Sequence, residues 1–135
     1  MVNEDDAEEV ETTAFEVLGS DEGIAHLVDR FYDLMDTEPH CRDIRVMHPA
    51  DLTESRHKLV LFLTGWLGGP PRYVERYGHP RLRARHLPFS IGDAERDQWM
   101  WCMQTALNES VPEGSFRDAL LNAFQAMASH MRNQR

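Results

Sequence analysis

Apolar side chains recur at intervals of three and four along four stretches of this chain, the spacing of amphipathic helices. In LGSDEGIAHLVDRFYDLMD the line is Ile24, Leu27, Val28, Phe31, Tyr32 and Met35, with Ser20 or Asp21 as its expected N-cap. Pro39 and the polar TEPHCRD end it,. A second helix is expected at DLTE, where Asp51 and Glu54 have capping-box spacing, although the first residue of such a box is usually Ser or Thr,. It carries Leu52, Ser55, Leu59, Phe62, Leu63 and Trp66 toward one side. Val60 and Leu61 widen that face, which predicts burial on more than one side. GGPPRYVERYGHPRLR follows as a long irregular connection, its glycines and prolines leaving room for one or two short turns,. A short helical piece then ends near His86, stopped by Pro88. The third long helix runs from about Asp93 to Leu107 on Trp99, Met103, Ala106 and Leu107,. The last runs from about Ser115 to Met131 on Phe116, Leu120, Phe124, Met127 and Met131,. No segment of any length has period two, so the pattern predicts an all-α fold.

Length and charge refine this picture. A chain of 135 residues is expected to form one domain with room for a small-molecule pocket. The net charge of −9 is unevenly spread, because residues 1–16 hold seven acidic side chains and no Lys or Arg. Subtracting that −7 from −9 leaves −2 for the rest. The sequence thus divides into an acidic, disordered tail over 1–16 and a folded domain over 17–135. Without a basic stripe, nucleic acid is not an expected partner. The longest apolar run, Leu59 to Leu63, falls far short of a membrane span of ~20 residues. The acidic start is the reverse of a signal peptide, so a cytoplasmic location is expected. Cys41 and Cys102 lie in no CxxC pair, which argues against zinc-ribbon, redox and covalent haem-attachment motifs. Two buried thiols in a reducing compartment are expected instead.

The remaining chemistry is sparse. Seven histidines form no HExxH or CxxC…HxxxH set, and no GxSxG, Walker or GxGxxG motif is present,. Two large polar-tipped side chains, Tyr32 and Trp99, sit on otherwise apolar helix faces, where a buried O–H or N–H needs a partner. His48, between Met47 and Pro49, enters the second helix at a point from which its ring can turn inward. Taken singly, each reads as an ordinary core aromatic or loop histidine. His86 changes the reading. It stands alone in RLRARHLPFSI, which suits the single protein ligand of a cofactor that supplies its own donors. Haem is such a cofactor, since porphyrin contributes four nitrogens and a proximal His the fifth ligand.

From Phe31-Tyr32 to Met103 the chain resembles the group II truncated haemoglobins. The resemblance rests on RFY, the His48-Pro49 entry, GWLGGPPRYVERYGHPRLRARHLPF and ERDQWMWCM, and spans roughly residues 18–130. It implies a shortened globin fold, a two-over-two helical sandwich around non-covalent haem b, with an extended loop largely replacing the helix before the proximal histidine. It also implies His86 as the proximal iron ligand, with Tyr32 and Trp99 on the distal side. His48 stands where the family often has Tyr or Phe. Ser55 stands where ordinary globins often place a distal histidine, with Leu59 and Phe62 beyond it. Phe31 and Phe89 complete the expected haem contacts. Lys58, Tyr73, His79, Arg81 and Arg85 are the candidates for the propionate rim.

The function implied is binding of O2, CO or NO, with O–H and N–H groups of Tyr32, Trp99 and His48 supplying up to three hydrogen bonds to a ligand that gains negative charge. His48 or Tyr32 is also a candidate sixth ligand to the iron, and titration near neutrality would make the His48 version pH-dependent. The alternative is a haem-dependent redox enzyme, an NO dioxygenase or a peroxidase-like catalyst. That reading requires a separate electron donor, because no flavin or nicotinamide motif is present. Either a monomer or a homodimer is compatible with the sequence.

Overall fold

Across residues 12–134, the part of the chain that the computed structural model describes, eight α-helices follow one another without a strand. They are α1 (Ala14–Val17), α2 (Ser20–Thr37), α3 (Arg42–Arg45), α4 (Thr53–Trp66), α5 (Arg72–Tyr77), α6 (Leu82–His86), α7 (Asp93–Ser110) and α8 (Ser115–His130), with a 3₁₀ turn over Pro39–Cys41. Helix α2 packs on both α4 and α7, and α7 packs on α8. Four long helices thus enclose one core, and the short ones are threaded between them.

The spacing expected from the sequence is the spacing that is buried. Ile24, Leu27, Val28, Phe31 and Met35 of α2 meet Cys102, Met103, Ala106 and Leu107 of α7, with Leu63 of α4 and Phe124 of α8 closing the core. Burying a side chain such as Phe31 contributes about 1.5–3 kcal/mol, so this cluster outweighs the exposed ion pairs. Those pairs set register instead. Arg30 of α2 grips Glu109 of α7 through two bonds of 2.7 and 2.9 Å. Arg56 of α4 reaches both Asp29 and Asp33 of α2. Partly exposed pairs of this kind are worth about 0–1 kcal/mol each.

Helix α4 departs from a one-sided pattern. Leu63 and Thr64 are buried in the core, whereas Ser55, Leu59 and Phe62 turn to a cavity on its other side. The expected burial on more than one side therefore has a cause: α4 is a wall between core and cavity. Its start also differs from the capping box expected of Asp51 and Glu54. The N-cap is Leu52, and Asp51 Oδ1 instead accepts the Thr53 N–H at 2.9 Å, two residues on. Neither Ser20 nor Asp21 caps α2; that place falls to Gly19.

The folded part begins earlier than the charge boundary at residue 17. Thr13 opens α1 with a reciprocal capping box, its Oγ1 accepting the Glu16 N–H at 3.2 Å while Glu16 Oε1 accepts the Thr13 N–H at 3.1 Å,. Phe15 is buried, and its N–H donates to the Leu67 carbonyl at 2.9 Å. A charge window averages over one buried aromatic and misses it. The rest of the acidic stretch, residues 1–11, lies outside the described residues. Phe15 rests on Gly69, where an added Cβ would come within 2.8 Å of its ring. Gly68 turns the chain there with φ near 100°, a conformation that costs glycine little,.

The long connection after Gly69 holds two helices, α5 and α6, each at the limit of what its prolines and glycines allow. Arg72 of α5 pairs with Asp21 of α2. Cys41 and Cys102 are both buried free thiols with sulfurs 3.5 Å apart. Among the described residues no helix is long and apolar enough to cross a membrane.

Candidate functional site

A cavity of about 420 Å³ opens between α2, α4, α6, α7 and α8, within the ~300–1,000 Å³ typical of cofactor and ligand sites. Its wall is mostly apolar. Leu59 and Phe62 come from α4, Met127 and Ala128 from α8, Leu82 from α6, and Phe89 and Ile91 from the turn that follows. A small set of polar groups interrupts this wall: Tyr32, His48, Ser55, Lys58, His86, Glu95, Arg96 and Trp99.

His86 is the last residue of α6 and is half-buried. Its Nδ1 lies 2.6 Å from the Leu82 carbonyl one turn back. A carbonyl can only accept, so Nδ1 carries the proton and donates. The lone pair is therefore on Nε2, the nitrogen left for the cavity. This is the arrangement that orients a metal-ligating imidazole and raises its basicity. The spacing that provides it is helical: residue 86 bonds to the carbonyl of residue 82.

Tyr32, Trp99 and His48 come from three different elements. Tyr32 on α2 is 6% exposed, and burial pushes its hydroxyl up to about 12, so it remains an O–H donor at neutral pH. Its ring meets Phe31 edge-on at 4.9 Å and His48 at 5.7 Å. Trp99 on α7 packs edge-on against Phe31 at 5.1 Å. Phe31 itself is fully buried behind these two rings and does not line the cavity. It acts as their common backing.

His48 sits on the turn after α3. Arg45 braces this turn, donating to Asp36 at 2.8 Å and to the Pro49 and Ala50 carbonyls at 3.0 and 2.8 Å. The His48 Nδ1 lies 2.8 Å from the Ile44 carbonyl and, by the same logic, donates to it. A neutral His48 therefore has an acceptor, Nε2, left over and no second N–H. The sequence expectation of a third donor is revised by this bond. Burial, the largest cause, holds the His48 imidazole below its ordinary range, with the Arg45 and His86 charges acting in the same direction against the Ile44 bond. The neutral, accepting form is thereby favoured.

The other expected contacts divide. Ser55, Lys58, Leu59, Phe62 and Phe89 all line the cavity. His79 and Arg81 line an adjoining groove that shares Phe62, Leu82, Met127 and Met131 with it. Tyr73 is buried between Phe62 and Tyr77, off the cavity wall. Arg85 is exposed and folds back to the Pro80 carbonyl at 2.7 Å. Sequence reasoning missed Arg96. Its side chain is 16% exposed, pairs with Asp97 and Asp93, and reaches Ser129 on α8 at 3.1 Å. In ERDQW it reads as part of a solvated face, and only the approach of α8 turns it toward the cavity. Met47 and Ile44 were missed for a similar reason, since α3 is too short to display a period.

These residues fit a haem. One imidazole lone pair faces an apolar space, polar groups gather on a second wall, and cationic Lys58 and Arg96 stand on the cavity's lining. Among the described residues no three His, Cys, Asp or Glu side chains group as a metal cage.

Comparison with known proteins supplies the family. Residues 13–133 match the family described as bacterial-like globin. The chain is 43% identical over 120 residues to the group 2 truncated hemoglobin YjbI of Bacillus subtilis (strain 168), covering 89% of this chain and 88% of that one. Among solved structures it is similar to a cold-adapted truncated hemoglobin from the Antarctic marine bacterium Pseudoalteromonas haloplanktis TAC125. The TM-score is 0.89 at 43% identity, over 92% of this chain and all (100%) of that one. It is equally similar to the group II 2-on-2 hemoglobin of the plant pathogen Agrobacterium tumefaciens, with a TM-score of 0.89 at 43% identity, over 94% of this chain and 98% of that one. The chain belongs to the group II truncated, two-on-two haemoglobins of the bacterial-like globin family, a membership that implies a haem cofactor and haem-based binding of small ligands.

Proposed function

We propose that this protein holds haem b through His86 and binds a diatomic ligand, O2 foremost and CO or NO besides, against a wall on which Tyr32 and Trp99 donate and His48 accepts. The observation that carries the reading is the Nδ1–H bond of His86 to Leu82 at 2.6 Å, which leaves an Nε2 lone pair for the cavity. Bound haem would supply an iron with a free coordination position and the redox chemistry of that iron.

The chain's own residues would do the rest. Leu59, Phe62, Met127 and Phe89 give the pocket an apolar lining, which would keep water from a bound group. That lowers the local dielectric and strengthens each remaining polar contact. The Tyr32 O–H and Trp99 N–H donate to a ligand atom carrying partial negative charge. His48 Nε2, beside the Tyr32 ring, would accept and so compete with the ligand for the Tyr32 proton. Protonating Nε2 turns it into a third donor, and burial confines that form to acidic solution. Lys58 and Arg96 on the cavity lining, with His79 and Arg81 on the adjoining groove, are the groups available to two propionates.

Absorption spectra of the haem-loaded protein test this. Oxidised, reduced and reduced-with-CO samples are expected to give distinct Soret bands. His86→Gly is expected to lose the ferrous wild-type spectrum and regain it with added imidazole. A His86→Gly protein with wild-type haem occupancy and spectrum, without imidazole, overturns the assignment.

A further inference from the structure

Helix α6 presents a mechanical puzzle. It is five residues long and none of its side chains is buried. An isolated helix needs about 12–15 residues to be even marginally stable, and segments with few buried contacts open easily. Packing therefore does not fix where α6 holds His86. Polar tethers from the carboxyl-terminal segment do.

Asn133 uses every hydrogen-bonding atom of its side chain on the stretch that follows the proximal histidine. Its Nδ2 donates to the His86 carbonyl at 3.2 Å and to the Phe89 carbonyl at 2.8 Å. Its Oδ1 accepts the Ile91 N–H at 3.0 Å and, more weakly, the neighbouring Gln134 Nε2–H at 3.3 Å, and its own backbone N–H donates to the Ile91 carbonyl at 2.8 Å. Ile91 is buried and so gives the clamp a fixed foot. From the other side Arg83 of α6 donates to the His130 and Arg132 carbonyls at 2.6 and 2.9 Å. Arg132 in turn holds Asp93, the first residue of α7, at 2.8 Å. The end of α8 and the residues after it thus form a strap across α6 and the turn behind it.

We infer that Asn133 is a positioning residue for His86, acting through the His86 and Phe89 carbonyls to set the height and direction of the imidazole. The inference rests on the reading of His86 as the iron ligand. An amide is required because the clamp both donates and accepts: the two carbonyls need N–H donors and the Ile91 N–H needs an acceptor. Asn133→Leu keeps the volume and removes both functions. Asn133→Asp keeps the acceptor and sets a carboxylate against two carbonyl oxygens. Asn122→Ala is the control, since Asn122 is exposed on α8 and makes no hydrogen bond to the clamp.

The experiment compares these haem-loaded variants by the rate of haem transfer to an acceptor apoglobin. It also records the iron–histidine stretching band of the reduced protein by resonance Raman spectroscopy. Both Asn133 variants are expected to release haem about tenfold faster, the equivalent of one to two net hydrogen bonds, and to shift or broaden the band. Asn122→Ala is expected to match the wild type. Asn133→Ala replaces the leucine variant if that one does not fold, with the same outcomes. Wild-type release and an unmoved band in the Asn133 variants overturn the inference while leaving His86 in its role. A wild-type protein whose band is unaffected by His86→Gly overturns both.

Discussion

Replacing Tyr32 by Phe removes a single oxygen atom from the proposed distal wall. The ring is 6% exposed and held edge-on by Phe31 and His48, and Phe preserves those contacts, so no cavity is created. Burial keeps the hydroxyl protonated up to about 12, so at neutral pH its only service to an anionic ligand atom is donation. A hydrogen bond to a charged or strongly polarised partner contributes about 1.5–3 kcal/mol net. Losing it should speed O2 release about 10- to 100-fold. CO gains little charge and should leave at a nearly unchanged rate. The assay is stopped-flow displacement of O2 by CO, with CO release measured by displacement with NO. His48→Leu gives the opposite test of sign. If His48 Nε2 accepts, its removal frees the Tyr32 proton for the ligand, and O2 release slows or stays the same. A Tyr32→Phe protein that releases O2 at the wild-type rate refutes the donor role, and a His48→Leu protein that releases it faster refutes the acceptor role.

Three further outcomes follow from neighbouring features. Gly69→Ala places a Cβ 2.8 Å from the Phe15 ring and 2.9 Å from the Thr64 carbonyl, and such overpacking should cost about 1–3 kcal/mol; an unchanged melting temperature would show that the amino-terminal α1 does not dock as described. The depressed titration of His48 makes stability pH-dependent. Above its unfolded value of 6.5 the ring is neutral in both states, and as pH falls through 6.5 toward the folded value the unfolded chain takes up a proton that the folded one resists, so stability declines. Urea unfolding at about pH 7.5 and about pH 5.5 should therefore differ less for His48→Gln than for the wild type, and equal differences would sink the assignment. Burial raises both thiols, Cys41 and Cys102, above the ordinary range. Alkylation by iodoacetamide should be slow until denaturant is added, and rapid labelling of the native protein would contradict their burial.

Much of this protein is legible before any coordinates. The apolar lines of α2, α7 and α8 are long and regular, so period alone identifies the helices and most of the core that they bury,. RLRARHLPF and ERDQW carry the family resemblance in order and spacing, and His86, singled out within the first of them, lines the cavity. Local pattern fails where a residue's role depends on a distant segment. Phe15 lies beside an acidic stretch and becomes core only because Gly69 leaves room for its ring. Arg96 reads as solvated surface until α8 brings Ser129 to it. His48 reads as a donor until the Ile44 carbonyl claims its Nδ1 proton. Asn133 has no sequence signal, being one polar residue after the last apolar position, yet it meets His86 across 47 residues of chain. Periodicity reports which face of a helix avoids water, because that property is local to the helix. Which polar atom meets which depends on how helices distant in sequence cross, and that was decided only when α2, α4, α7 and α8 packed.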